Sequence, residues 1–187
     1  MKKMNGKGFT LIELLAVITI MGILMLVAIP AVSRTIENSR RDTFADVAKE
    51  YVNTVRNAVL ADELKCGSES VGATGDGKYF FKIDSNDQNT KDIMESGGLS
   101  SWSNARVEGY VEWTKTTTAA TENNEQKVKT EYSVYLVDAG KHGIDVSTKE
   151  TEISRSKVKT ATSVAAGSVT FPVSTGEGAT HTECTLK

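Results

Sequence analysis

The chain has 187 residues, with 22 basic and 24 acidic side chains and a net charge of −2. The length suits about one domain, and the lack of a basic excess argues against nucleic acid as the main ligand. Apolar residues crowd before Val32, whereas the remainder is rich in Thr, Ser, Gly, Lys and Glu and builds only a modest core.

Residues 1–8 form a basic leader carrying Lys2, Lys3 and Lys7. An apolar run follows from Phe9 to Val32, broken by one charge, Glu13. As a helix it extends about 36 Å, enough to cross a bilayer. The run is too long for the h-region of a secretory signal, and no clear small-residue cleavage site follows it. A single-pass anchor is the other simple reading, and the lysines hold its N-terminus in the cytoplasm. The run contains fourteen Leu, Ile, Val and Phe residues. Together they favour insertion by up to ~4–8 kcal/mol, against a cost of about 3 kcal/mol for one central acidic side chain. Insertion wins, but a plain anchor gains nothing from Glu13. A carboxylate inside a span therefore calls for a partner and a function.

Gly22 and Pro30 interrupt the second half of the run. Proline removes a helical hydrogen bond at a cost of about 3 kcal/mol, and glycine adds about 1 kcal/mol of weakness. Either a simple kink or a stretch that unwinds on packing fits.

Beyond Val32 the pattern turns amphipathic. Phe44, Val47, Ala48, Tyr51, Val52, Val55, Ala58 and Val59 fall at helical spacing, with charged residues opposite. One helix is predicted from Phe9 to Leu64, with Gly67 just past its end. Its apolar stripe needs a partner surface, and the strand signals supply one. They are Tyr79–Ile83, Val107–Thr114 with Val111 and Trp113 on one face, Tyr132–Val137, Ile144–Val146 and Val169–Val173. Pro172 suggests an edge strand. Thr116–Glu125 reads as a hairpin loop or a mobile tip. The rest of 65–101 is a polar connection with a short helix near Asp92–Glu95. The predicted fold class is α+β: a long N-terminal helix packed on an antiparallel sheet. The predicted divisions are 1–8 leader, 9–64 helix with 9–32 in the membrane, and 65–187 head.

The two cysteines, Cys66 and Cys184, lie in no CxxC pair, which excludes the usual zinc and thioredoxin patterns. An extracellular head favours one disulfide between them; the alternative is two unlinked thiols. Gly72–Lys78 imitates a phosphate loop, but Tyr79 stands where Ser or Thr belongs and no strand precedes it. Asp84, Asn86, Gln88, Asp92 and Glu95 fall at calcium-loop positions, but Asn89 replaces the turn glycine, so a solvated loop is the preferred reading. His142 and His181 share no metal spacing, and His142 sits in a glycine turn. No catalytic arrangement and no cofactor are expected.

Lys7-Gly8-Phe9-Thr10-Leu11-Ile12-Glu13-Leu14 resembles the processing motif of type IV prepilins and the related pseudopilins. The resemblance covers the leader and apolar run and extends, less closely, along the helix. It implies the pilin fold, cleavage between Gly8 and Phe9 by a prepilin peptidase, and N-methylation of Phe9. It gives Glu13 a partner in the new Phe9 amine of a neighbouring subunit, and places Gly22 and Pro30 in an assembling fibre core. It further implies a homopolymer, an assembly platform with its ATPase, and lipid contact before assembly. The implied precursor sits in the cytoplasmic membrane and the product is a surface fibre for adhesion, twitching motility or aggregation. A secretion-system pseudopilin and a DNA-uptake competence pilus are the alternative roles.

Overall fold

The structure is a computed structural model that describes residues 8–67, 69–70, 75–94, 106–120, 125–139, 142–160, 169–172 and 181–187. Two compact units divide the chain, the first ending at Ser39 and the second running from Arg40 to Lys187. One helix, α1 (Leu11–Leu60), contributes to both.

In the first unit every described side chain from Leu11 to Arg34 is exposed, among them Leu26 at 78% and Val27 at 73%. An apolar helix with no buried face is what a membrane span or a bundle core requires. It is also the one described helix long and apolar enough to cross a membrane.

In the second unit α1 buries Phe44, Ala45, Val47, Ala48, Tyr51, Val52, Val55 and Ala58. This is the stripe that three- and four-residue spacing places on one face. The helix stops at Leu60, not Leu64, and Gly67 is not its cap. Asp62 adopts φ 56°. The Glu63 amide donates to the Ala58 carbonyl at 2.9 Å and the Asp62 amide to the Val59 carbonyl at 3.3 Å. These two bonds form a Schellman motif with aspartate at the left-handed position usually held by glycine. Gly67, at φ 60°, instead follows a strand.

Among the described residues eight strands form one sheet: β1 (Leu64–Cys66), β2 (Glu69–Ser70), β3 (Gly77–Asp84), β4 (Val107–Thr118), β5 (Lys127–Asp138), β6 (His142–Lys149), β7 (Lys159–Thr160) and β8 (Thr182–Leu186). The order is β2-β1-β8-β3-β4-β5-β6-β7. All pairings are antiparallel except that of β3 with β8. The fold is therefore α+β with a mostly antiparallel sheet, as expected. Tyr79, Phe81, Ile83, Val107, Val111, Trp113, Tyr132, Val134, Leu136 and Ile144 join the α1 stripe in one core. Each large side chain buried there contributes about 1.5–3 kcal/mol of transfer free energy.

Several local expectations change. Residues 169–172 form no strand, and Val173 lies outside the described residues. Phe171 instead packs on Tyr110 at 6.1 Å between ring centroids, on the sheet face opposite the core, where Phe80 and Tyr135 also meet Tyr110. The short helix is α2 (Gln88–Ile93), capped by Asp87, rather than Asp92–Glu95. β4 extends to Thr118, into the span expected to be loop, and β5 starts at Lys127, five residues before the expected Tyr132. Tyr79–Ile83 lies within β3 as expected, but the connection before it also holds β2 and most of β1. His142 is not in an open turn. It begins β6 and is buried, with its ring 6.1 Å from that of Phe44.

The last strand closes the sheet from within, between β1 and β3. Cys66 and Cys184 are register partners with Cα atoms 4.1 Å apart, and they form a disulfide. The Lys187 amide donates to the Glu63 carbonyl at 2.9 Å, which ties the C-terminus to the end of α1. Residues 150–160 also hold the helix. Ile153 and Val158 enter the core, Arg155 pairs with Asp42 at 3.2 Å, and Glu150 pairs with Arg56.

Candidate functional site

The residues that the sequence points to for processing lie at the start of α1. Gly8 and Phe9 precede the helix, and Phe9 is 90% exposed. A Cβ added at Gly8 would meet no atom within 4 Å. No described atom crowds Gly8, and a glycine allows close approach to the backbone.

Thr10 is the N-cap and Glu13 the third helical residue. The Thr10 amide and its hydroxyl each donate to Glu13 Oε2 at 2.8 Å, and the Glu13 amide donates to Thr10 Oγ1 at 3.4 Å. Reciprocal bonding of this kind is a capping box, which satisfies amides that a helix start otherwise leaves open. Glu13 therefore has partners before any cleavage. The pattern Thr10-x-x-Glu13 ahead of an apolar run was readable in the sequence. Reading the carboxylate only as a charge in search of a cation misses it. The box leaves the second carboxylate oxygen, Oε1, for another donor, because an ionised carboxylate accepts about four hydrogen bonds.

Farther along, a Cβ at Gly22 would meet nothing within 4 Å. Pro30 lies inside the helix. It has no N–H, so the Leu26 carbonyl lacks its usual donor. Two hydroxyls bond carbonyls next to it: Ser33 to Ile29 at 2.9 Å and Thr35 to Ala31 at 3.1 Å. Such back-bonding slightly weakens and often bends helices, so the proline and both hydroxyls act on the same stretch.

Residues 3–29 match the prokaryotic N-terminal methylation motif. That motif is the prepilin signal shared by type IV pilins and pseudopilins. It implies a structural subunit that a prepilin peptidase processes for fibre assembly. The match includes Gly8, Phe9, Glu13 and Gly22 and ends one residue before Pro30. No curated protein and no solved structure gives a significant match.

The other sequence candidates have different occupations. Asp84 pairs with Lys82 at 3.8 Å and Arg106 at 3.5 Å, and accepts the Asn86 amide at 2.9 Å. Gln88 donates to Asp92 at 2.6 Å, and Glu95 lies outside the described residues. Among the described residues no three metal-binding side chains converge. The phosphate-loop imitation lies partly outside the described residues, and its Lys78 sits in β3 rather than at a helix start. His142 Nδ1 lies 3.5 Å from Asp138 Oδ2, and His181 Nε2 lies 3.0 Å from Glu112.

Proposed function

We propose that this chain is the precursor of a type IV pilus subunit, with a structural rather than catalytic role. The observation that carries the reading is the union of two parts. An apolar helical segment whose described side chains are all exposed carries the methylation motif, and the same chain continues into a disulfide-closed α+β head. The leader, residues 1–8, stays in the cytoplasm under the positive-inside rule. Residues 9–32 span the membrane, and cleavage after Gly8 frees the Phe9 amine, which is then methylated. The charge survives methylation, as it does for lysine.

Glu13 holds its own helix start through Thr10, and its remaining oxygen takes the Phe9 amine of the next subunit. An unpaired carboxylate would be strongly unfavourable in a fibre core, whereas a paired one offsets much of its desolvation. The pair sets axial register, and the stretch around Gly22 and Pro30 yields as helices pack. An assembly platform and its ATPase drive extraction from lipid. The fibre serves adhesion, motility or aggregation. Mass spectrometry of the N-terminus from isolated surface fibres tests this: a methylated Phe9 start supports it, and fibres retaining Met1 refute it. Fibres confined to the envelope would assign the chain to a secretion system instead.

A further inference from the structure

The β4–β5 ladder runs out to Thr118 opposite Lys127. On one side β3 leaves it at Gly77 opposite Lys115, and on the other β6 leaves it at Ser133 opposite Lys149. Among the described residues, no strand pairs with the outer edge of β5 from Lys127 to Tyr132. Residues 127–131 are all exposed. Val128 is 57% exposed, and of the described residues after Ser39 only Leu60 is another large hydrophobic side chain so open. Where β6 departs, a cleft of about 150 Å³ opens, lined by Thr130, Glu131, Tyr132, Lys149, Glu150 and Thr151.

An unpaired edge invites an added strand, and charged residues on it decide which strand is accepted. The segment Lys127-Val128-Lys129-Thr130-Glu131-Tyr132 is complementary to itself when reversed. With a two-fold axis at Thr130, Lys129 stands opposite Glu131 of a second copy, twice over. Val128 stands opposite Tyr132 of the second copy, at the edge where the cleft opens, and Thr130 meets Thr130. Moving the axis one residue either way puts Lys129 on Lys129 or Glu131 on Glu131. Like charges directly opposite are destabilising. A half-residue move sets Val128 against Glu131 and turns the apolar face to the charged one.

We propose that the free edge of β5 is a self-association surface, joining two copies of this chain as antiparallel strands in that single register. Val128 of each copy enters the cleft beside Tyr132 of the other. The two lysine–glutamate pairs that Lys129 and Glu131 make within one chain, at 2.7 Å to each other and 3.7 Å from Glu131 to Lys149, leave both groups exposed and within reach of a facing strand. A two-fold contact closes on itself and does not propagate a fibre. On a fibre of these heads it joins neighbouring fibres side by side. That consequence rests on the pilus reading; the pairing of two chains does not.

The test uses the full-length chain in membranes, without fibre assembly. Both native cysteines are in the disulfide, so Thr130→Cys supplies the one free thiol. Oxidation is expected to give a dimer on a non-reducing gel. Adding Lys129→Glu, or Glu131→Lys, turns two attractions into two repulsions and is expected to cut the yield about tenfold or more. Mixing those two variants, tagged to differ in size, restores the cross-linked heterodimer alone. A purely intramolecular role for the two side chains cannot produce that recovery. Absence of the dimer, equal yields in all variants, or failure of the mixture to recover each overturns the proposal. The fibre reading is untouched by any of these results.

Discussion

Gly109 has the closest backbone neighbours of the described glycines, and replacing it with alanine is a decisive perturbation. It lies in β4 opposite Leu136, next to the place where β5 and β6 slip register between Val134 and Leu136. A Cβ there would sit 2.0 Å from the Tyr135 carbonyl oxygen and 2.9 Å from the Leu136 Cα. Both opponents are backbone atoms of a central strand, so one strand must retreat by more than an ångström. Overpacking a core costs about 1–3 kcal/mol. The strand shift also weakens ladder hydrogen bonds worth about 0.5–1.5 kcal/mol each. The expected loss for Gly109→Ala is about 3 kcal/mol, a fall of roughly 6–12 °C in Tm for a head of this size. Thermal unfolding of the full chain in detergent, followed by the fluorescence of buried Trp113, measures it. Gly77→Ala is the control. The nearest atoms to its Cβ would be those of the Tyr79 ring and hydroxyl, at 3.4 Å or more, and it should stay within about 0.5 kcal/mol of the parent. A Gly109→Ala protein as stable as that control would refute the close-approach argument.

Glu13→Gln separates the two roles of Glu13. Glutamine completes a capping box as glutamate does but carries no charge. Insertion and helix content should persist while fibre yield collapses; normal fibres would leave Glu13 as a cap alone. Asp62→Val should destabilise the head by about 1–2 kcal/mol, because a β-branched residue resists left-handed geometry, whereas Asp62→Gly should stay within about 1 kcal/mol. Denaturant midpoints at constant slope distinguish the two. Burial raises the Tyr132 pKa, and the negative charge of Glu150 adds to this while Arg56 opposes it. The folded state therefore keeps the phenol neutral at a pH where the unfolded chain ionises. This contribution is intact below about pH 10, the ordinary tyrosine value, and disappears as pH climbs through the raised folded value. Tyr132→Phe should flatten that alkaline loss of stability. An unchanged alkaline profile in the variant would show that other groups govern it.

The N-terminal third of this chain was almost fully legible from its residues. Hydropathy and length define a helix long and apolar enough to cross a bilayer, and the helical stripe from Phe44 to Val59 predicts a packed second half. Both signals are local, since they depend only on residues a few positions apart. The processing motif is local too, and so was the Thr10–Glu13 cap, had the pattern been read as backbone chemistry. Strand cores such as Tyr79–Ile83 and Tyr132–Val137 were visible because aromatic and β-branched residues cluster there.

What tertiary structure decided was whatever depends on distant partners. β8 is a short polar strand that earns its place only by lying between β1 and β3, where Cys184 meets Cys66. Phe171 looked like a strand residue but covers the second sheet face, a choice set by Tyr110, some sixty positions earlier. The demand for glycine at 109 comes from the backbone of β5, and the open edge at 127–132 from where β6 happens to leave. Periodicity along a chain reports which face of an element is apolar. It carries no information about which other element approaches that face, or how closely, because that distance is settled only when the whole sheet packs against the helix.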